Sequence, residues 1–196
     1  MAFSLDLSTQ NYSIDLARLL AKASLINHYY EDEFDLSFSS MILAPLACDD
    51  PISQWFKTYV KDAEINVTRI LDEHNVNRQI LDSIVNRDSP TEPLKACYRM
   101  TTSASRFLKM AGQLNDSLNQ GDEIRSLDVR HLMAVYIYAP GGHGRDLLRW
   151  GFDRMDWSIS FLSQMRSMQP DELGFWAKLH RDVIKSLSGI SPVLQP

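Results

Sequence analysis

Four groupings in this chain carry residue types that could do chemistry. The first is Gly141-Gly142-His143-Gly144, followed by Arg145. A glycine-rich loop leading into a helix can cradle an anion on its backbone N–H groups. The phosphate-binding form of that device needs a Lys-Ser/Thr pair after the loop and a strand before it, and neither pattern is present. The stretch therefore reads as a hinge, in which glycine lets the chain reverse without steric cost. The second grouping is Asp128-x-x-His131 in an apolar run. A di-iron bundle would need Glu-x-x-His on two helices with further glutamates. A single Asp-x-x-His predicts a structural histidine, with Asp128 as helix cap and hydrogen-bond partner. The third comprises Cys48 and Cys97 with His28, His74, His143 and His180. A Cys–His hydrolase needs a thiolate beside a base, and no local nucleophile signature or CxxC pair supports one. Both thiols read as buried, free and set in apolar helical contexts. The fourth is HYYEDEFD (28–35), which concentrates aromatic and acidic side chains. The turn glycine and alternating ligands of a calcium loop are missing. It reads as a solvated acidic linker or as a docking edge. In the second case Tyr29, Tyr30 and Phe34 supply contact area, while Glu31, Asp32 and Glu33 attract a basic partner segment. No cofactor and no metal are expected.

The bulk properties are those of an ordinary globular domain. The 196 residues are 44% hydrophobic and 23% charged, enough to bury a substantial core. A net charge of −5, with lysine and arginine scattered, argues against nucleic acid as a partner. The first ten residues are polar and acidic, unlike a secretory signal, and no apolar run approaches the roughly 20 residues of a membrane span. A cytoplasmic protein with no membrane partner is expected.

The elements that must hold these groups are helical. Sustained period-two alternation and hairpin dipeptides are lacking, whereas apolar residues recur at helical spacing. Leu16, Leu19, Leu20, Ala23 and Ile26 form one such face behind Ser13 as N-cap, and Pro51 suits a first helical turn. Met41, Ile42, Leu43 and Leu46 predict a central buried helix that Pro45 shapes or ends. The stretch 88–93, DSPTEP, is the clearest break, and after it the series starts again. SIDLARLLAKA (13–23) matches TSASRFLKMA (102–111), and LSFSSMILA (36–44) matches LDVRHLMAV (127–135). In the second match Leu36 pairs with Leu127, Phe38 with Val129, Met41 with Leu132 and Ile42 with Met133. A period of roughly 90 residues is too long for a solenoid and suits two copies of a four-helix unit. Half-repeats of about 8–89 and 90–169 are expected within residues 1–169. Residues 170–196 would hold an extra amphipathic helix, on Leu173, Phe175, Trp176, Leu179, Val183 and Leu187, and a linker.

The second half resembles the N-terminal domain of Clp unfoldases, the Clp R domain. That half-repeat runs helix, an I-x-T-E-H-L-L-x-A-L-like segment, a loop, then L-x-x-x-G-x-D before a last helix. The carriers here are Leu127, Val129, His131, Leu132, Met133 and Ala134, then Leu147, Leu148, Gly151, Phe152 and Asp153. The first half departs further, with Ser40 in the place of His131 and Glu64-Ile65-Asn66 in the place of Gly151-Phe152-Asp153. The resemblance implies an all-α fold of two pseudo-symmetric four-helix repeats, to which the amphipathic C-terminal helix would be an addition. It also implies a non-catalytic role in docking substrates or adaptors, as in that chaperone family. One branch of the family binds a phosphorylated guanidinium through an acidic residue before the histidine position. Ser39 and Arg130 stand there in this chain, and Arg130 would repel such a ligand. Arg130 is instead a candidate contact for a protein partner. No GxxxxGK[ST] motor motif is present, so fusion to, or association with, a catalytic module is expected. Two alternatives remain: a regulatory or sensing domain of a larger bacterial effector or defence protein, and a small cytoplasmic Cys/His hydrolase.

Overall fold

The computed structural model describes residues 3–9, 11–28, 34–73, 78–85, 94, 96–118, 125–138 and 142–187. Within them the chain is mostly helical. The first half carries α1 (Ile14–His28), α2 (Phe38–Leu43), α3 (Pro51–Asp62), α4 (Val67–Glu73) and α5 (Arg78–Val85). The second carries α6 (Thr102–Leu118), α7 (Val129–Tyr138), α8 (Gly142–Arg149), α9 (Arg154–Met168) and α10 (Leu173–Leu187). The expected first unit has four helices; the described residues of that half fall in five helical segments, α4 and α5 lying on either side of residues 74–77, which are outside the described residues. Pro45 converts the end of α2 into a 3-10 turn over Ala44–Ala47, as its missing N–H requires. The expected break at 88–93 and the expected linker after 187 lie outside the described residues.

Two strands were not anticipated. β1 (Phe3–Asp6) and β2 (Cys97–Met100) pair antiparallel in the register Phe3 to Met100 and Asp6 to Cys97. Four residues are too few to establish an alternating pattern. The partners also lie far apart in sequence, so no hairpin turn announces them. The strand corrects the reading of Cys97 as a buried helical thiol: it is exposed on β2, whereas Cys48 is buried.

The backbone bonds that start and end the helices recur in matched sets. Leu36 N–H donates to the Arg99 carbonyl, and the Leu36 carbonyl accepts from Thr101 N–H (both 3.0 Å). Leu127 N–H donates to the Asn11 carbonyl, and the Leu127 carbonyl accepts from Ser13 N–H (both 2.8 Å). Each extended entry to a second helix thus clips onto the residues before the first helix of the other half. Ser13 Oγ caps α1 through Leu16 N–H at 3.1 Å, and Thr101 Oγ1 caps α6 through Ala104 N–H at 3.2 Å. The loops before α2 and α7 are held by Asn27 Nδ2 on the Phe34 carbonyl (2.6 Å) and Asn115 Nδ2 on the Arg125 carbonyl (2.9 Å). After α3, Ile65 N–H reaches back to the Val60 carbonyl; after α8, Phe152 N–H reaches back to Leu147 (both 3.0 Å). Those two reversals need a left-handed residue, supplied by Glu64 (φ 52°) and Gly151 (φ 96°). Asn66 and Asp153 then cap the following helices through Arg69 and Asp156 N–H, both at 3.0 Å.

The core lies where the halves meet. Phe56 and Tyr59 of α3 pack on Phe152 and Trp157 at centroid distances of 5.8–6.4 Å. Phe38 packs on Phe107, Tyr136 and Trp150. Polar rims tie the same surfaces: Trp55 Nε1 donates to Ser160 Oγ (2.9 Å), and Trp150 Nε1 donates to Glu73 Oε2 (2.8 Å). Lys22 is buried on α1 and donates its ammonium to the carbonyls of Ile84 and Val85 at the end of α5. This seals acceptors that a helix terminus leaves open.

Candidate functional site

The polar groups gathered most tightly lie at the start of α7. Asp128 precedes the helix and accepts Arg130 N–H on Oδ1 at 2.8 Å. In return, Asp128 N–H donates to His131 Nδ1 at 3.0 Å, a reciprocal pair in which an imidazole takes the part usually played by Glu or Gln. The same pair starts α2, where Ser37 Oγ accepts Ser40 N–H (3.2 Å) and Ser37 N–H donates to Ser40 Oγ (3.0 Å). Because Nδ1 accepts, the neutral ring carries its proton on Nε2. His131 is fully buried against Trp176, 6.1 Å between centroids. Burial, then the charge of Arg130, pushes its pKa down to about 3. Burial raises the Asp128 carboxyl above the usual carboxylate range, partly opposed by Arg130. Asp128 and His131 thus share the start of α7, the carboxylate taking the Arg130 N–H and the ring taking the Asp128 N–H.

Arg130 projects from the first turn into a carboxylate cluster. Its Nη2 lies 3.2 Å from Glu172 Oε1 and its Nη1 3.4 Å from Asp128 Oδ2. Arg125 Nη1 reaches the same Glu172 oxygen, and Trp176 Nε1 donates to Oε2 at 3.0 Å. The Glu172 side chain is 4% exposed and that of Arg130 10%. Glu172 comes from the 3-10 turn Pro170–Glu172 that leads into α10. Arg125, Asp128, Arg130, Gln169 and Glu172 help to line a cleft of about 390 Å³. A second groove, of about 560 Å³, runs between α3, α4 and α5, with Val60, Ile65 and Leu81 at its floor and Lys57, Lys61, Glu64 and Asp82 among its charged walls.

The remaining candidates fall elsewhere. Tyr29, Tyr30, Glu31, Asp32 and Glu33 lie outside the described residues; Phe34, at their edge, is half-buried, with its carbonyl held by Asn27. Leu132 is buried on α7, Gly151 forms the reversal after α8, and Asp153 caps α9. Gly141 is outside the described residues, and the backbone of Gly142, His143 and Gly144 starts α8. Burial drives the Cys48 thiol up to about 12, and desolvation with the Asp6 carboxylate raises Cys97. Both thiols are therefore held in the less nucleophilic form. Among the described residues no three His, Cys, Asp or Glu side chains gather as a metal site, and no helix is long and apolar enough to cross a membrane.

Sequence reasoning missed Arg125, Glu172 and Trp176. Glu172 and Trp176 are four apart at a helix start, a readable pair. Their union with Arg130, 42 positions from Glu172, has no local signal.

No protein-family model matches this chain, and no curated protein or solved structure does either.

Proposed function

We propose that this chain is a non-catalytic protein-binding module, two pseudo-symmetric four-helix units with an added C-terminal helix, of the kind that docks substrates or adaptors in Clp unfoldases. The observation that carries the reading is the matched set of caps, crossed clips and left-handed reversals. Ser37–Ser40 answers Asp128–His131, Glu64 answers Gly151, and Leu36 answers Leu127. The order of these features is the order of the family's motifs. On this reading α4 and α5 together stand for one helix of the second unit. The histidine of the motif is a cap, and its depressed pKa suits a neutral structural ring better than a base at neutral pH. The docking edge is Tyr29 to Phe34, with Glu31, Asp32 and Glu33 drawing in a basic segment of the partner.

The test is calorimetric titration of the full chain with a permanently unfolded basic protein, reduced and alkylated lysozyme. Saturable binding is expected, weakened about tenfold when Glu31, Asp32 and Glu33 are all changed to Lys, and weakened further by salt. Absence of binding, or hydrolytic turnover lost in Cys48→Ala or Cys97→Ala, would overturn the reading.

A further inference from the structure

Glu172 sits in a receptor built from two directions. Arg125 comes from the loop before α7, Arg130 from its first turn, and both guanidinium groups converge on one carboxylate oxygen. The indole N–H of Trp176 holds the other. Such charge-assisted donors select a carboxylate by geometry as well as by charge. The receptor also retains unused donor capacity: Arg130 Nε is buried with no hydrogen-bond partner among the described residues. A carboxylate engaging Nε and Nη2 side by side would satisfy it, which Glu172, bound to Nη2 alone, does not. The cleft of about 390 Å³ beside Glu172 gives such a group a place to enter.

The occupant Glu172 is tethered to a helix that, among the described residues, packs chiefly on α9, through Phe161 and Trp176. Withdrawing it would leave the buried Arg130 guanidinium with Asp128 as its one remaining carboxylate among the described residues, a cost that another carboxylate in the same place would offset.

We propose that Arg125, Arg130 and Trp176 form a receptor for a glutamate or aspartate side chain of an acidic partner segment, with Glu172 the internal occupant that this segment displaces. The proposal rests on the reading of the chain as a protein-docking module and supplies the chemistry of a second contact, separate from the acidic edge.

The probe is a labelled tetraglutamate peptide, acetylated and amidated so that only side chains carry charge, followed by fluorescence anisotropy on the full chain. Glu172→Gln is expected to bind it at least about tenfold more tightly than the wild type, since the internal competitor loses its charge. The Trp176 indole N–H resonance should shift on binding, and Arg130→Met in the Glu172→Gln background should abolish the gain. Tetraglutamine should not bind. If Glu172→Gln fails to fold, Glu172→Asp, which keeps the charge and retracts it by one methylene, should show a gain of a few-fold. Equal affinity in wild type and variant, or binding indifferent to Arg130→Met, overturns the receptor. Loss of peptide binding with lysozyme binding intact removes the receptor alone; the reverse removes the docking reading alone.

Discussion

At the scale of single residues, two buried ionisable groups make sharp predictions. His131 has a folded pKa of about 3 against an ordinary 6.5, so between those values the unfolded chain binds a proton that the folded chain refuses. Its contribution to stability is present above pH 6.5 and is lost as pH falls toward 3, with a limiting slope of about 1.4 kcal/mol per pH unit. Asp128 opposes this at the acid end. Its raised carboxyl keeps a proton in the folded state where the unfolded chain has released one, so that term favours folding at lower pH. His131→Asn keeps an acceptor for the Asp128 N–H and removes the titration. Urea unfolding from pH 7 to 5 should therefore give a flatter profile for the variant than for the wild type; parallel profiles would show that the ring titrates normally. Lys22 gives the second prediction. Lys22→Met keeps the apolar stem and leaves the Ile84 and Val85 carbonyls without their charged donor, a loss of about 2 kcal/mol in the urea midpoint analysis.

At the scale of elements, the helix reversals separate conformational cost from packing. Glu64 and Gly151 occupy the same kind of left-handed turn with different fitness for it. Glu64→Gly should stabilise the protein by about 1 kcal/mol, and Gly151→Ala should destabilise it by about 1–2 kcal/mol. A Cβ at position 151 would meet only Ile65 Cγ1, at 3.9 Å, so the penalty there is one of backbone geometry. Equal signs in chemical denaturation would contradict this account. These elements also show what the sequence made legible. The face of Leu16, Leu19, Leu20, Ala23 and Ile26 gave α1 with its Ser13 cap, and Pro51 gave the start of α3, because caps and periodicity act within a few residues. The His131–Asp128 partnership was readable for the same reason. The β1–β2 pairing, the exposure of Cys97 and the capture of Arg130 by Glu172 were not, since each depends on residues brought together from distant parts of the chain.

At the scale of the molecule, the two halves hold each other at the backbone. The amides of Ser13, Leu36, Thr101 and Leu127 each bond across the divide, so they can be released only when the halves separate. Native-state hydrogen exchange should give these four amides opening free energies close to that of global unfolding. Exchange well below that level would mean that the halves come apart while each stays folded. The four tryptophans extend the consequence, because they mark the seams of the fold: Trp55 and Trp157 lie between α3 and α9, Trp150 lies against α4, and Trp176 lies beside α7 and α9. Trp55 bridges to Ser160, Trp150 to Glu73 and Trp176 to Glu172, while Trp157 lies fully buried in the core with its N–H unbonded among the described residues. All four are buried, so the native emission should be blue and should redden as each joint is wetted. Replacing three of them with phenylalanine would leave a single lamp, and the colour of that lamp would report which seam of the molecule opens first.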